Sequence, residues 1–222
     1  MSCAQPSPTP PDFDPGLDPD CAPHLDRGRR RWLWAAAAFT IAPALQPRVA
    51  AAHNDAGPVA PPLAAPAMAI HWHDGSRRSL ADRLKGRVTA VQTMFTGCSA
   101  VCPIQGALFA EVQSLLGEPA GGDPRLQLLS LSIDPVTDDA PALSRWLRQF
   151  EGDARWHAGA PRPEAVDQLL EFLRARSGGV DRHTGQVFLF NPRAELVLRT
   201  VDLPPPEQIV ELLLGLAKRF PR

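Results

Sequence analysis

The sequence predicts an α/β fold: one mixed sheet with helices on both of its faces. Three observations carry that prediction. Apolar, β-branched runs alternate with stretches of helical periodicity through the middle of the chain, two strand-like segments and a helix close it, and two cysteines stand where a strand pattern gives way to a helix pattern.

The elements follow in order. Ile70, Trp72, Asp74-Gly75 and Ser79-Leu80 suggest a short N-terminal β-hairpin, with a turn of helix from Leu80 to Leu84. Val88 to Phe95 is apolar and β-branched enough for a buried strand, and Ile104, Leu108, Val112 and Leu115 recur at helical spacing, giving a helix from Pro103 to Leu116. Leu126 to Ile133 alternates as a strand, which Asp134-Pro135 ends. Asp138 or Asp139 caps the next helix, whose apolar positions are Leu143, Trp146, Leu147 and Phe150. Arg155 to Ala158 reads as a short strand and Glu164 to Arg176 as a helix. Strands Gln186 to Phe190 and Glu195 to Val201 are joined by a turn at Asn191-Pro192-Arg193-Ala194, and a helix from Glu207 to Arg219 follows three prolines. This order is thioredoxin-like. No internal repeat is visible.

Residues 1–52 read as leader and export signal. The first 26 are rich in Pro and Asp without periodicity. Arg29-Arg30-Arg31 precedes the apolar stretch Trp32 to Leu45 and the small-residue site Ala50-Ala51-Ala52, the layout of a signal peptide of twin-arginine or general secretory type. The apolar run is about 14 residues, short of the roughly 20 that span a bilayer, and Pro43 interrupts it. Cleavage and a periplasmic protein are therefore expected, with an uncleaved anchor as the alternative. Residues 53–68, rich in Ala and Pro, read as a flexible tether, and 69–222 as the folded domain. Roughly 170 residues remain after cleavage, enough for one domain with a real core. A net charge of −1 with interspersed signs excludes the basic stripe of a nucleic-acid binder.

The chain has four cysteines, but Cys3 and Cys21 precede the signal, so the mature domain carries only Cys98 and Cys102. Backbone N–H groups and the positive end of the helix dipole at a strand-to-helix junction favour the thiolate, the form that attacks disulfides and binds soft metals. A structural bridge is the plain alternative in an oxidising compartment, although one closing so short a loop removes little unfolded-state entropy. A third candidate, His183, lies far off in sequence, just before the strand Gln186 to Phe190. In a thioredoxin-like fold the loop entering that strand faces the start of the helix that carries the cysteines. Two thiolates and one imidazole make a soft, low-coordinate set that suits copper better than structural zinc, which wants four closed ligands. A peroxidase of the peroxiredoxin type would show Pro-x-x-x-Thr-x-x-Cys; here Thr96 is only two residues before Cys98.

Phe95-Thr96-Gly97-Cys98-Ser99-Ala100-Val101-Cys102-Pro103, then Ser132-Ile133-Asp134-Pro135 with Asp138 and Pro141, then His183-Thr184-Gly185-Gln186-Val187-Phe188-Leu189-Phe190, together resemble the Sco/SenC family over roughly Ile70 to Phe220. That family consists of thioredoxin-like, periplasmic or membrane-tethered copper chaperones for cytochrome c oxidase. The resemblance implies one copper ion, Cu(I) or Cu(II), held by Cys98, Cys102 and His183. It also implies a partner of the kind found in that system, an oxidase copper-site subunit or a related periplasmic copper protein, met close to the membrane by a chain that does not span it once cleaved. Asp134 falls near the site as an outer-shell residue or serves only to end its strand. Two departures stand out: Ser99-Ala100 replaces the Pro-Asp many members carry, and Arg182 intervenes between Asp181 and His183. The competing function is thiol:disulfide oxidoreductase, with Cys98 as nucleophile and Cys102 resolving the mixed disulfide.

The remaining histidines have simpler readings. His71 and His73 share one strand face and are surface residues or a metal-binding pair, His53 would head the mature chain, where its amine and ring can chelate copper, and His157 is structural.

Overall fold

The computed structural model describes residues 56–117, 122–177 and 183–221. The leader, His53, Asp181 and Arg182, on which parts of the sequence reading rest, lie outside them. Five strands build the centre and one flank of the sheet: β4 (Val88–Met94), β5 (Leu126–Ser132), β6 (Trp156–Pro161), β7 (Gln186–Phe190) and β8 (Glu195–Asp202). The other strands are β1 (Gly57–Ala64), β2 (Ala69–Trp72) and β3 (Arg77–Ser79), and the eight run in the order β1-β8-β7-β4-β5-β6-β2-β3. β4, β5 and β6 are parallel; every other pairing is antiparallel. The sheet is therefore mixed, as the element order predicts.

Alternation along β4 sorts the core onto two faces. Val88, Ala90 and Met94 join the cluster made with α2 (Val101–Leu115), α3 (Ala140–Gln149) and α5 (Pro206–Arg219), whereas Val91 joins the cluster made with α1 (Leu80–Leu84) and α4 (Val166–Leu173). On the first face Trp156 meets Phe109 and Trp146 edge-on, at centroid separations of 5.6 and 5.4 Å. α2 lies close to this cluster because residue 106 is glycine: a Cβ there would stand 2.3 Å from the Phe150 ring.

The caps explain where the helices begin. Ser79 caps α1 by accepting from the Asp82 N–H, and Asp139, not Asp138, caps α3 by accepting from the Ala142 N–H at 2.8 Å. The helix expected from Glu164 to Arg176 is shorter. A 3₁₀ turn at Pro163–Ala165 leads into α4, which stops at Arg174 in the left-handed region (φ 55°). β6 outruns its expected four residues because His71 and Trp72 of the hairpin pair with Ala160 and Gly159.

One element differs from its expectation. The expected tether at 53–68 contains β1, which pairs with β8 through Gly57 opposite Arg199 and Leu63 opposite Leu196, with a shift in register between Pro58 and Leu63. Its prolines suit an edge position, where an N–H can go unused. The side chains of β1 are almost all exposed, so no apolar alternation marked it as a strand. Among the described residues no helix is long and apolar enough to cross a membrane.

Candidate metal centre

The cysteines lie at the end of the central strand. β4 ends at Met94, the chain turns through Phe95-Thr96-Gly97, with the Cys98 N–H donating to the Phe95 carbonyl at 3.2 Å, and α2 starts at Val101. Cys102 is thus the second residue of α2, 1 % exposed, while Cys98 is half-buried in the preceding loop. Ala100, at the N-cap, offers no side-chain bond. Instead the Cys98 sulfur accepts from the Cys102 N–H at 3.4 Å, satisfying one of the orphan donors of the first turn.

His183 arrives from the other side of the sheet. Residue 183 bridges Arg176 in an isolated antiparallel pairing, and the Thr184 N–H donates to the Ala175 carbonyl at 3.0 Å, so the residues after α4 hold the entry to β7. The imidazole is 3 % exposed and edge-on to Phe95, with centroids 6.0 Å apart. Its Nδ1 lies 3.0 Å from the Thr184 carbonyl oxygen and 3.3 Å from Thr93 Oγ1. A carbonyl oxygen only accepts, so Nδ1 donates to it and Nε2 is the nitrogen turned toward the cysteine. That nitrogen stands 3.6 Å from the Cys102 sulfur.

The separation fits a shared ion. Metal–sulfur and metal–nitrogen bonds of about 2.3 and 2.0 Å, taken from zinc, meeting at roughly 110–120° put sulfur and nitrogen about 3.5–3.7 Å apart. A backbone carbonyl that fixes the tautomer of a histidine is also the usual support of an imidazole ligand. Cys98 is less complete. Among the described residues no three histidine, cysteine or carboxylate side chains are gathered tightly enough to hold an ion. The assembled part is the Cys102–His183 pair, with Cys98 beside it, its sulfur on the Cys102 amide.

One residue beside the cysteine loop has no site role in the sequence reading. Asp138 is 2 % exposed, and its carboxylate accepts from the Thr96 N–H at 3.0 Å, the Thr96 hydroxyl at 2.5 Å and the Ser132 hydroxyl at 2.6 Å. Asp134, the residue weighed as an outer-shell group, ends β5, and its carbonyl accepts from the Thr137 and Asp138 N–H groups. In the sequence Asp138 stands among the residues that carry the family resemblance, and for the rest it reads as a helix cap.

Comparison with known proteins came out as follows. A family model described as SCO1/SenC matches residues 69–218. Yeast Sco1 with copper bound superposes with a TM-score of 0.60 at 17 % identity, over 72 % of this chain and 91 % of that one. A SCO1/SenC family lipoprotein from Bacillus anthracis gives 0.58 at 22 %, over 72 % and 99 %. BsSco, described by a disulfide switch and as a member of the Sco family of cytochrome c oxidase assembly proteins, gives 0.59 at 20 %, over 71 % and 96 %. At these identities the superpositions show the fold. No curated protein sequence matches the chain.

Proposed function

This chain belongs to the SCO1/SenC family, and on that premise we propose that it binds one copper ion through Cys98, Cys102 and His183 and delivers it to the copper site of a respiratory oxidase or a related copper protein. The observation that carries the proposal is the placement of His183, whose Nε2 faces the Cys102 sulfur at 3.6 Å while its Nδ1 meets the Thr184 carbonyl. Cys102 and His183 form the buried floor, and Cys98, on the exposed side, closes the set. A ligand that joins last is also the one that leaves first, which suits an ion meant to be passed on. Copper bound to yeast Sco1 supports the choice of cargo.

Titration of the reduced protein with copper(I) tests this. An ion that binds only the native state raises its stability by about 2.7 kcal/mol at a free concentration 100 times the dissociation constant, so the melting temperature should climb with copper. An unchanged melting temperature at saturating copper(I) overturns the proposal.

The second reading, thiol:disulfide exchange, is favoured by the unequal exposure of the two sulfurs. The Cys98 thiolate attacks one sulfur of a partner disulfide and expels the other as thiolate. Cys102 then attacks the Cys98 sulfur, releasing the partner as a dithiol and leaving a Cys98–Cys102 disulfide, which a dithiol reductant must reopen. Export belongs to this reading, and N-terminal sequencing of the native protein should find a start near His53; recovery of the whole leader in washed membranes means an anchored form.

A further inference from the structure

We infer that Asp138 is the positioning residue of this centre: by pinning Thr96 it decides how readily Cys98 closes on the Cys102–His183 pair. The inference rests on the proposed closure of Cys98, by metal or by disulfide. Three observations lead to it. First, Asp138 belongs to the turn after β5 and is fixed there by its own N–H, which donates to the Asp134 carbonyl at 2.9 Å. Second, both oxygens of this buried carboxylate are occupied by Thr96 and Ser132, so three bonds fasten the cysteine loop to the end of the neighbouring strand. Third, the pinned residue stands two positions before Cys98, and the stretch that remains, Gly97 to Ala100, is exposed apart from the half-buried cysteine itself.

The consequence is a short, anchored span. With Thr96 fixed at one end and α2 at the other, the Cys98 sulfur samples few positions, all near the helix start. Release of the Thr96 anchor enlarges that set, and each event that needs Cys98 at the pair, coordination or disulfide formation, becomes rarer in proportion. A residue needed only for folding would alter stability and leave both events alone.

The test uses Asp138→Asn, Thr96→Val and Thr96→Ser, read by copper(I) affinity and by the midpoint potential of the Cys98–Cys102 couple in a thiol buffer. Asp138→Asn should weaken copper about tenfold or more, within the range for outer-shell groups. It should also make the disulfide easier to reduce, tenfold being about 30 mV for a two-electron couple. Thr96→Val, which loses only the hydroxyl bond, should fall between Asp138→Asn and wild type, and Thr96→Ser, which keeps that bond, should match wild type. If Asp138→Asn does not fold, the two Thr96 variants decide. Folded Asp138→Asn and Thr96→Val proteins with wild-type affinity and potential overturn the inference, as does a Thr96→Ser protein as impaired as Thr96→Val. A wild-type protein that ignores copper defeats the metal reading alone, and the potential measurements still decide the role of Asp138.

Discussion

Two places in this molecule bring a histidine into a buried or half-buried contact, and they do so to opposite chemical effect. At the end of β4, His183 divides its nitrogens between a carbonyl and a sulfur. At the hairpin, His73 and His157 face one another with centroids 5.6 Å apart. There the nearby charges include the Arg83 guanidinium, which lies 4.5 Å over the Trp72 ring and 3.7 Å from the Asp74 carboxylate. Burial first, then Arg83 and His73, drives the His157 pKa down to about 4; burial also lowers that of His73, against the opposing Ala158 carbonyl. A histidine's role is set by what its two nitrogens meet. At the first place a ring nitrogen meets a soft sulfur, and at the second burial, with a guanidinium nearby, lowers the pKa of both rings.

The largest expected effect strikes that contrast directly. His183→Ala should weaken Cu(II) binding by more than about 100-fold, beyond the range for outer-shell groups, while reduction of a model disulfide stays within a few-fold of wild type. His157→Ala should leave copper untouched. Tight Cu(II) binding by His183→Ala, or its loss in His157→Ala, breaks the comparison.

A smaller effect belongs to the hairpin and to acid. The folded pKa of His157, about 4, lies below its ordinary 6.5, so between those values the unfolded chain takes up a proton that the folded one refuses. Its contribution to stability is complete above pH 6.5 and is lost as pH falls toward 4. At about 1.4 kcal/mol per pKa unit, discounted for partial exposure, the loss is on the order of 2 kcal/mol. Urea melts at pH 7 and pH 4.5 should show wild type losing that much more than His157→Gln; equal losses would assign the acid sensitivity to other groups. The smallest effect is His71→Ala. This ring is exposed on β2, and its removal should change stability by less than about 0.5 kcal/mol with copper stoichiometry intact. A drop in stoichiometry would make the hairpin a second metal site.

The same contrast shows what was legible in the sequence. Strand and helix patterns, the turn at Asp74-Gly75 and the cysteine junction could be read because periodicity and turn chemistry are local. The approach of His183 to Cys102 was foreseeable only through the fold. Two features were hidden for different reasons. β1 buries almost nothing, so its hydrogen bonds with β8 left no mark in the side chains. Asp138 sits beside a second aspartate at a helix start, and either could cap; only the turn at Asp134-Pro135 decides that Asp139 takes the helix while Asp138 faces Thr96.

Among the described residues, the outermost strands of the sheet bear on how one copy of this molecule meets another. An open sheet ends in rows of unspent amides and carbonyls, which can template the pairing of another chain. Here one border is β1, carrying Pro58, Pro61 and Pro62 and a shifted register, and the other is β3, three residues long with two arginines. Proline removes the donor and breaks the repeat, and a short, cationic strand gives a neighbour little to add to. An eight-stranded sheet closed off in this way resists edge-to-edge aggregation without closing into a barrel.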